Sequence, residues 1–240
     1  MSKQNKIIVT GGSGRFAQSL KKIKSKYKFI YPSKNILDIT NIKSVTKFLK
    51  KNKPKSVLHL AGLSRPMIEH EKNVTKSINL NIIGTANLAS VCSKLKIKLI
   101  YFSTSYVYPG NKGNYKEKDP VLPWNNYAWS KLGGECAVQM HKNSLILRVC
   151  MTEKPFIHKK AFSNVKLNFI FHDEIAKILI KILNKNIKGV INVGGPTKTV
   201  YNFAKSHNFK VKKILCRKNS SSGFPLNPSM NLNKLNKLIK

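Results

Sequence analysis

A glycine turn set between a strand and a helix constrains this chain more than any other feature. Lys6–Thr10 is a short apolar run rich in β-branched residues, Gly11–Gly14 reads GGSG, and helical periodicity follows over Arg15–Tyr27. Gly11, Gly14 and Ala17 fall at G-x-x-G-x-x-A. Glycines in this pattern let backbone amides approach a pyrophosphate, the helix N-terminus adds partial positive charge, and a small third residue permits close helix–strand packing. The pattern alone also describes a ligand-free turn. Its place in a first β–α unit favours the nucleotide cradle.

The rest of the chain repeats the alternation. Strands are expected at KFIYPS, stopped by Pro32, at KPKSVLHLAG after Pro54, and at IKLIYFSTS, SLILRV and GVINVGG. Helices are expected over Thr40–Asn52, with Asp38 and Thr40 as N-cap candidates, as one long stretch from Glu71 to Leu95, from Asn125 to Lys142, and over Asp173–Leu183. Residues 109–123 form a Gly/Pro/Lys loop, and NLNKLNKLIK predicts a terminal amphipathic helix. Apolar strands separated by helices predict the α/β class, with a doubly wound, Rossmann-type parallel sheet covered on both faces. Residues 1–150 would form the dinucleotide-binding domain. Residues 151–240 would add the last sheet elements and a small, abbreviated C-terminal substrate-binding part, all in a single structural unit.

The formal charge of +36 over 240 residues invites a nucleic-acid or membrane reading. The cations are 41 lysines and four arginines spread along the whole chain, whereas base-edge and phosphate recognition favours arginine's planar fork. No nucleic-acid surface is therefore expected, although anionic ligands should be attracted. No apolar run approaches the ~18–20 residues of a membrane helix, and the MSKQNKIIVTGG start lacks the apolar stretch of a secretory signal. A cytoplasmic location is expected. Cys92, Cys136, Cys150 and Cys216 are scattered, which suits free thiols and no metal site.

YAWSK supplies Tyr127 and Lys131, four residues apart on an expected helix and so on one face. A lysine cation beside a tyrosine stabilises the phenolate and lowers a pKa otherwise near ~10. Thr104 falls just after the fourth strand, where open α/β sheets face their ligand crevice, and its hydroxyl could bond a carbonyl as charge develops. The second strand ends YPSK with no acid to hold an NAD ribose. Ser33, Lys34 and Arg15 instead suit a 2′-phosphate, so NADP(H) is favoured, with NAD(H) left open.

With these residues in order, the sequence resembles the extended short-chain dehydrogenases/reductases. The resemblance runs through TGGSGRFA, LDIT, VLHLAG, NLNIIGTANL, YAWSKLGGE, LILRV and FHDEIAKIL. It implies a catalytic group of Thr104, Tyr127 and Lys131. It implies cofactor contacts from Gly11, Ser13, Gly14, Arg15 and Phe16, from Asp38 at the adenine, and from Leu60, Ala61 and Gly62 beside the nicotinamide ribose. Asn81 falls in the family's central helix. FSTSYVYPG, YAWSKLGGE and the late PLNPSMNLNKL most resemble dTDP-4-dehydrorhamnose reductases. That implies reduction of a 4-keto-6-deoxy sugar on a nucleotide, in surface polysaccharide synthesis; a homodimer is compatible with it. Two features depart from the pattern. Ser105 stands where the family commonly has an acid, and only the 24 residues Val149–His172 separate Arg148 from Asp173, fewer than relatives devote to the sugar nucleotide. A nucleotide-sugar epimerase and a non-catalytic NADP-binding regulatory subunit are the alternatives. The regulatory subunit of methionine adenosyltransferase belongs to the same family.

Other residues have plainer expectations. His59 is read as core, His172 as a helix cap, and His70, between Glu69 and Glu71, as solvated helix surface. Trp124 and Trp129 are read as packing around the active helix, with Trp124 able to border substrate. Arg148 is read as structural, and Cys150 and Met151 as small apolar filler or cofactor neighbours.

Overall fold

The computed structural model describes residues 5–217 and 224–240. Its centre is a six-stranded sheet in the order β10-β5-β4-β3-β1-β2, built from β1 (Lys6–Thr10), β2 (Lys28–Ile30), β3 (Ser56–His59), β4 (Lys98–Thr104), β5 (Ser144–Val149) and β10 (Gly189–Val193). Every pairing in it is parallel. Parallel neighbours need crossovers, and helices supply them. The doubly wound α/β expectation is met.

The sheet is buried on both faces because its strands are apolar at consecutive positions. Along β4, Ile100 and Phe102 join one core with Phe16 and Leu20 of α1 (Arg15–Lys21), Ile175 and Leu179 of α7 (His172–Leu183), and Leu235 of α9 (Asn233–Ile239). Leu99 and Tyr101 point the other way. They join Val45 and Leu49 of α2 (Ile42–Asn52), Leu88 of α5 (Gly84–Lys94) and Val138 of α6 (Asn126–Gln139). The period-2 alternation of a strand thus feeds two cores at once.

Several boundaries differ from the sequence reading. The first helix ends at Lys21, well short of Tyr27; Tyr27 instead anchors the entry to β2 by donating its hydroxyl to the Leu183 carbonyl. The cap of α2 is neither Asp38 nor Thr40 but Asn41, whose side chain accepts from the amides of Lys43 and Ser44. Asp38 folds its carboxylate onto the amide and hydroxyl of Thr40. The expected single helix from Glu71 to Leu95 is broken into α3 (Glu69–Lys72), α4 (Val74–Ser77), a π-helical turn over Ile78–Ile83, and α5. Asn73 breaks it, leaving helical geometry and capping α4 through Lys76 N. The π turn carries Asn81 inward, and such widened turns recur at functional sites.

The segment after β5 is short but folded. Three two-stranded pairings order it: β6 (Met151–Thr152) with β9 (Ile170–Phe171), β7 (Lys160–Phe162) with β12 (Lys212–Ile214), and β8 (Lys166–Leu167) with β11 (Lys198–Thr199). With α8 (Val200–Lys205) they enclose a third core that includes Tyr108, Tyr115, Phe171 and Phe203. The 109–123 loop is pinned to this part by a bridge between Tyr115 and Met230. No helix among the described residues is long and apolar enough to cross a membrane.

Candidate active site

The order of strands reverses between β1 and β3, and ligands of open α/β sheets bind beyond the strand ends at such a point. Two loops flank it. After β1, Gly11 adopts φ +72° and its carbonyl accepts the Gly14 amide at 2.9 Å. A side chain on Gly11 would come within 2.6 Å of the Ala61 backbone nitrogen, so only glycine lets the two loops meet. Ser13, Gly14 and Arg15 are exposed, open to a ligand.

The second loop, after β3, is held by buried polar side chains. Thr85 donates to the Asn81 carbonyl, so its oxygen receives the Nε2 proton of His59 at 2.9 Å, and His59 Nδ1 receives the Thr10 hydroxyl at 2.8 Å. His59 is fully buried, and burial, reinforced by the Lys131 cation, lowers its pKa to about 3, so it is neutral. Asn81 accepts the Leu63 amide at 2.7 Å and donates to the Leu63 carbonyl and to Ser130 Oγ, both at 2.8 Å. One side chain therefore ties the β3 loop to α6.

The α6 helix begins where Asn125 accepts the Ala128 amide at 2.8 Å, which fixes the phase of Tyr127 and Lys131. It can pack tightly because a side chain at Gly134 would meet the Asn81 carbonyl at 2.6 Å. Where the sequence predicts a Tyr127 pKa lowered by lysine, burial raises it; the Thr104 hydroxyl and the Arg65 cation act against that rise. Lys131 is buried with its Nζ 4.2 Å from the Tyr101 ring centre, and burial lowers its pKa to about 7, with Glu135 acting the other way. Glu135 accepts Ser103 Oγ at 2.7 Å and pairs with Arg148, whose Nη1 donates to the Tyr108 hydroxyl at 2.8 Å. Arg148 is the structural residue expected.

These elements enclose a cleft of about 400 Å³. Gly11, Ser13, Gly14, Arg15, Phe16, Leu60, Ala61, Gly62, Thr104, Tyr127 and Lys131 all line it. Ser33, Lys34 and Asp38 do not; the first two are exposed in the turn after β2. Cys150 and Met151 also line it. So do Arg65 and Tyr106, which sequence reasoning did not single out; Tyr106 could have been found from its place two residues after Thr104. Ser105 is buried at the cleft with no partner for its hydroxyl among the described residues.

Three expectations are corrected. His172 is not a cap: Phe171 holds the cap position, and the His172 ring meets Phe16 edge-on at 6.0 Å in the cleft wall. His70 is not solvated but wholly buried, because the break at Asn73 turns α3 inward onto α6; its ring stands 5.2 Å from that of Tyr127. Trp129 is half exposed on the outer face of α6, while Trp124 packs on Tyr106 and Phe224 outside the cleft. Among the described residues, no three His, Cys, Asp or Glu side chains gather as a metal site.

Comparison with known proteins follows the same lines. Residues 5–163 match the family model described as RmlD substrate binding domain. Methionine adenosyltransferase 2 subunit beta from Xenopus laevis is 34% identical over 116 residues, 48% of this chain and 34% of that protein. A dTDP-4-keto-6-deoxy-D-glucose reductase from Streptomyces niveus is 29% identical over 134 residues, 55% of this chain and 46% of that protein. In both cases the aligned stretch spans less than half of the relative's length. The crystal structure of dTDP-4-dehydrorhamnose reductase from Bacillus anthracis in complex with NADP superposes with a TM-score of 0.86 at 22% identity, covering 98% of this chain and 92% of that one. At that identity the likeness is one of fold.

Proposed function

The chain belongs to the RmlD substrate binding domain family, and from that premise we propose that it is an NADP(H)-dependent reductase of a nucleotide-linked 4-keto-6-deoxy sugar. One observation carries the reading: Thr104, Tyr127 and Lys131, drawn from a strand end and one helix face, open into the same cleft as the glycine turn. The glycine turn fits a dinucleotide: Gly11 lets it close against the Ala61 backbone, and Ser13, Gly14 and Arg15 are left exposed along the cleft. Residues 1–150 would supply most of this cofactor surface, and residues 151–240 the substrate side.

A bound reduced nicotinamide would supply the hydride that goes to C4 of the sugar. The chain's own residues handle the rest. The Thr104 hydroxyl donates to the C4 oxygen as negative charge builds on it. Tyr127, kept protonated at neutral pH by burial, delivers its proton to that oxygen. The Arg65 cation, with the Lys131 ammonium one turn along the helix face of Tyr127, favours the phenolate left behind, and Lys131 would hold the nicotinamide ribose. Ser105 offers no carboxylic acid for the extra proton transfers of a 4,6-dehydratase. The product class suits surface polysaccharide synthesis, and the protein would work in the cytoplasm.

The likeness to a methionine adenosyltransferase subunit favours a second reading, a dinucleotide-binding partner protein without catalysis. Lys131 argues against it. Holding a dinucleotide asks for a cation at the ribose, but not for that cation beside a buried phenol and the Thr104 hydroxyl in one cleft. The test is to incubate the protein with C4-deuterated NADPH and nucleotide-linked 4-keto-6-deoxy sugars. Deuterium at sugar C4 supports the reductase. Inversion at C4 of a 4-hydroxy nucleotide sugar offered in place of the ketone, with no net NADPH oxidation, gives the epimerase, and tight NADPH binding with neither outcome gives the partner protein.

A further inference from the structure

Two of the four arginines stand at the cleft. Arg15 opens α1 directly after the glycine turn and Arg65 lies in the loop after β3, so they face each other across the switch point. Between them lies one of the chain's nine acidic residues, Glu153. Its Oε1 accepts from Arg65 Nη1 at 2.8 Å and from Arg15 Nη1 at 3.4 Å. The placement is built: Glu153 directly follows β6, whose register with β9 sets Thr152 opposite Phe171. Among the described residues Glu153 is the one carboxylate paired with either guanidinium, and the two arginine side chains are 48% and 39% exposed.

We propose that Arg15 and Arg65 form a seat for a phosphate group of the cleft ligand, and that Glu153 fills this seat in the free protein as a competing carboxylate. The inference rests on the reading above that the cleft takes nucleotides. Two guanidinium forks converge on a single carboxylate oxygen, which uses little of their capacity. A phosphate or diphosphate brings more acceptor oxygens and more charge to the same point, and it matches the forks bidentately. Glu153 then swings to the rim, and the seat's affinity is set by how strongly that carboxylate competes. The phosphate can come from either of two sources, the dinucleotide or the diphosphate of a nucleotide-linked substrate. Their chemistry at the seat is the same.

Calorimetric titrations with NADP⁺ and with thymidine diphosphate, on the wild type, Glu153→Gln and Arg65→Gln, test this. Removing the internal competitor should tighten the probe that uses the seat by about 3- to 10-fold, and removing the fork should weaken the same probe by about tenfold. Both effects should shrink as salt rises. A response of NADP⁺ assigns the seat to the cofactor; a response of thymidine diphosphate assigns it to the substrate. The proposal falls if Glu153→Gln weakens both probes or leaves both unchanged. If that happens while the wild type still binds NADP⁺ and labels its ketone, the proposal alone falls. A wild type that binds neither probe would remove the nucleotide reading with it.

Discussion

The Nζ of Lys131 stands 4.2 Å from the centre of the Tyr101 ring, while the carboxylate one helical turn on, Glu135, is committed to Arg148. The ammonium thus has an aromatic face for company rather than an anion of its own. Burial brings its pKa from 10.5 to about 7. The unfolded chain holds that proton at every pH below 10.5, so the folded state carries the burden of the charge from there downward, in full below about 7.

Lys131→Met removes this burden and leaves a side chain of similar length. We expect the variant to melt higher than the wild type, by about 2–4 °C for each kcal/mol regained. Turnover should be lost. Thermal unfolding and NADPH oxidation measured on the same preparation check it; a variant that melts lower would mean that the contact with Tyr101 outweighs desolvation.

The same group predicts a pH profile. Lys131 loses its proton as pH rises through about 7, and Tyr127 must be protonated to deliver a proton to the sugar. In the reductive direction kcat/KM should hold below pH 7 and decline above it. A flat profile from pH 6 to 9 would remove Lys131's charge from the account.

Arg148→Met strands Glu135, which is completely buried. Breaking such a pair by removing one partner costs about 3–5 kcal/mol. Replacing Glu135 by Met as well should recover most of that loss, so a double-mutant cycle by urea unfolding should show strong coupling between the two sites.

Gly11→Ala drives a methyl against the Ala61 backbone at a residue with φ +72°. Strain of about 1–3 kcal/mol is expected. NADP⁺ binding should weaken well beyond what that loss of stability explains, because the two loops of the crevice are pushed apart. Equilibrium dialysis against the folded variant checks this.

Much of the fold was legible in the sequence because its signals are local. Apolar β-branched runs, Pro32, Pro54 and the glycine turn mark the strands of the central sheet, and YAWSK fixes two cleft residues through helix geometry alone. What escaped was decided by distant contacts. The break at Asn73 looks like one more polar position in a helical stretch, and only the inward turn of α3 reveals why His70 is buried against Tyr127. His172 precedes two acids, as a cap would, yet the ring of Phe16 takes it into the cleft wall. Arg65 carried no motif. Its role comes from Glu153, 88 residues away in sequence and 2.8 Å away in space.

The measurement closest to the central claim compares wild type with Tyr127→Phe for NADPH oxidation on a nucleotide-linked 4-keto-6-deoxy sugar, after titration confirms that both bind NADPH equally. The phenylalanine ring keeps the packing against His70 and Tyr106 and removes only the proton that Tyr127 delivers. The account predicts a fall in kcat of about 100- to 10,000-fold, the usual worth of a positioned acid, with little change in NADPH affinity. A variant that turns over at the wild-type rate would contradict it.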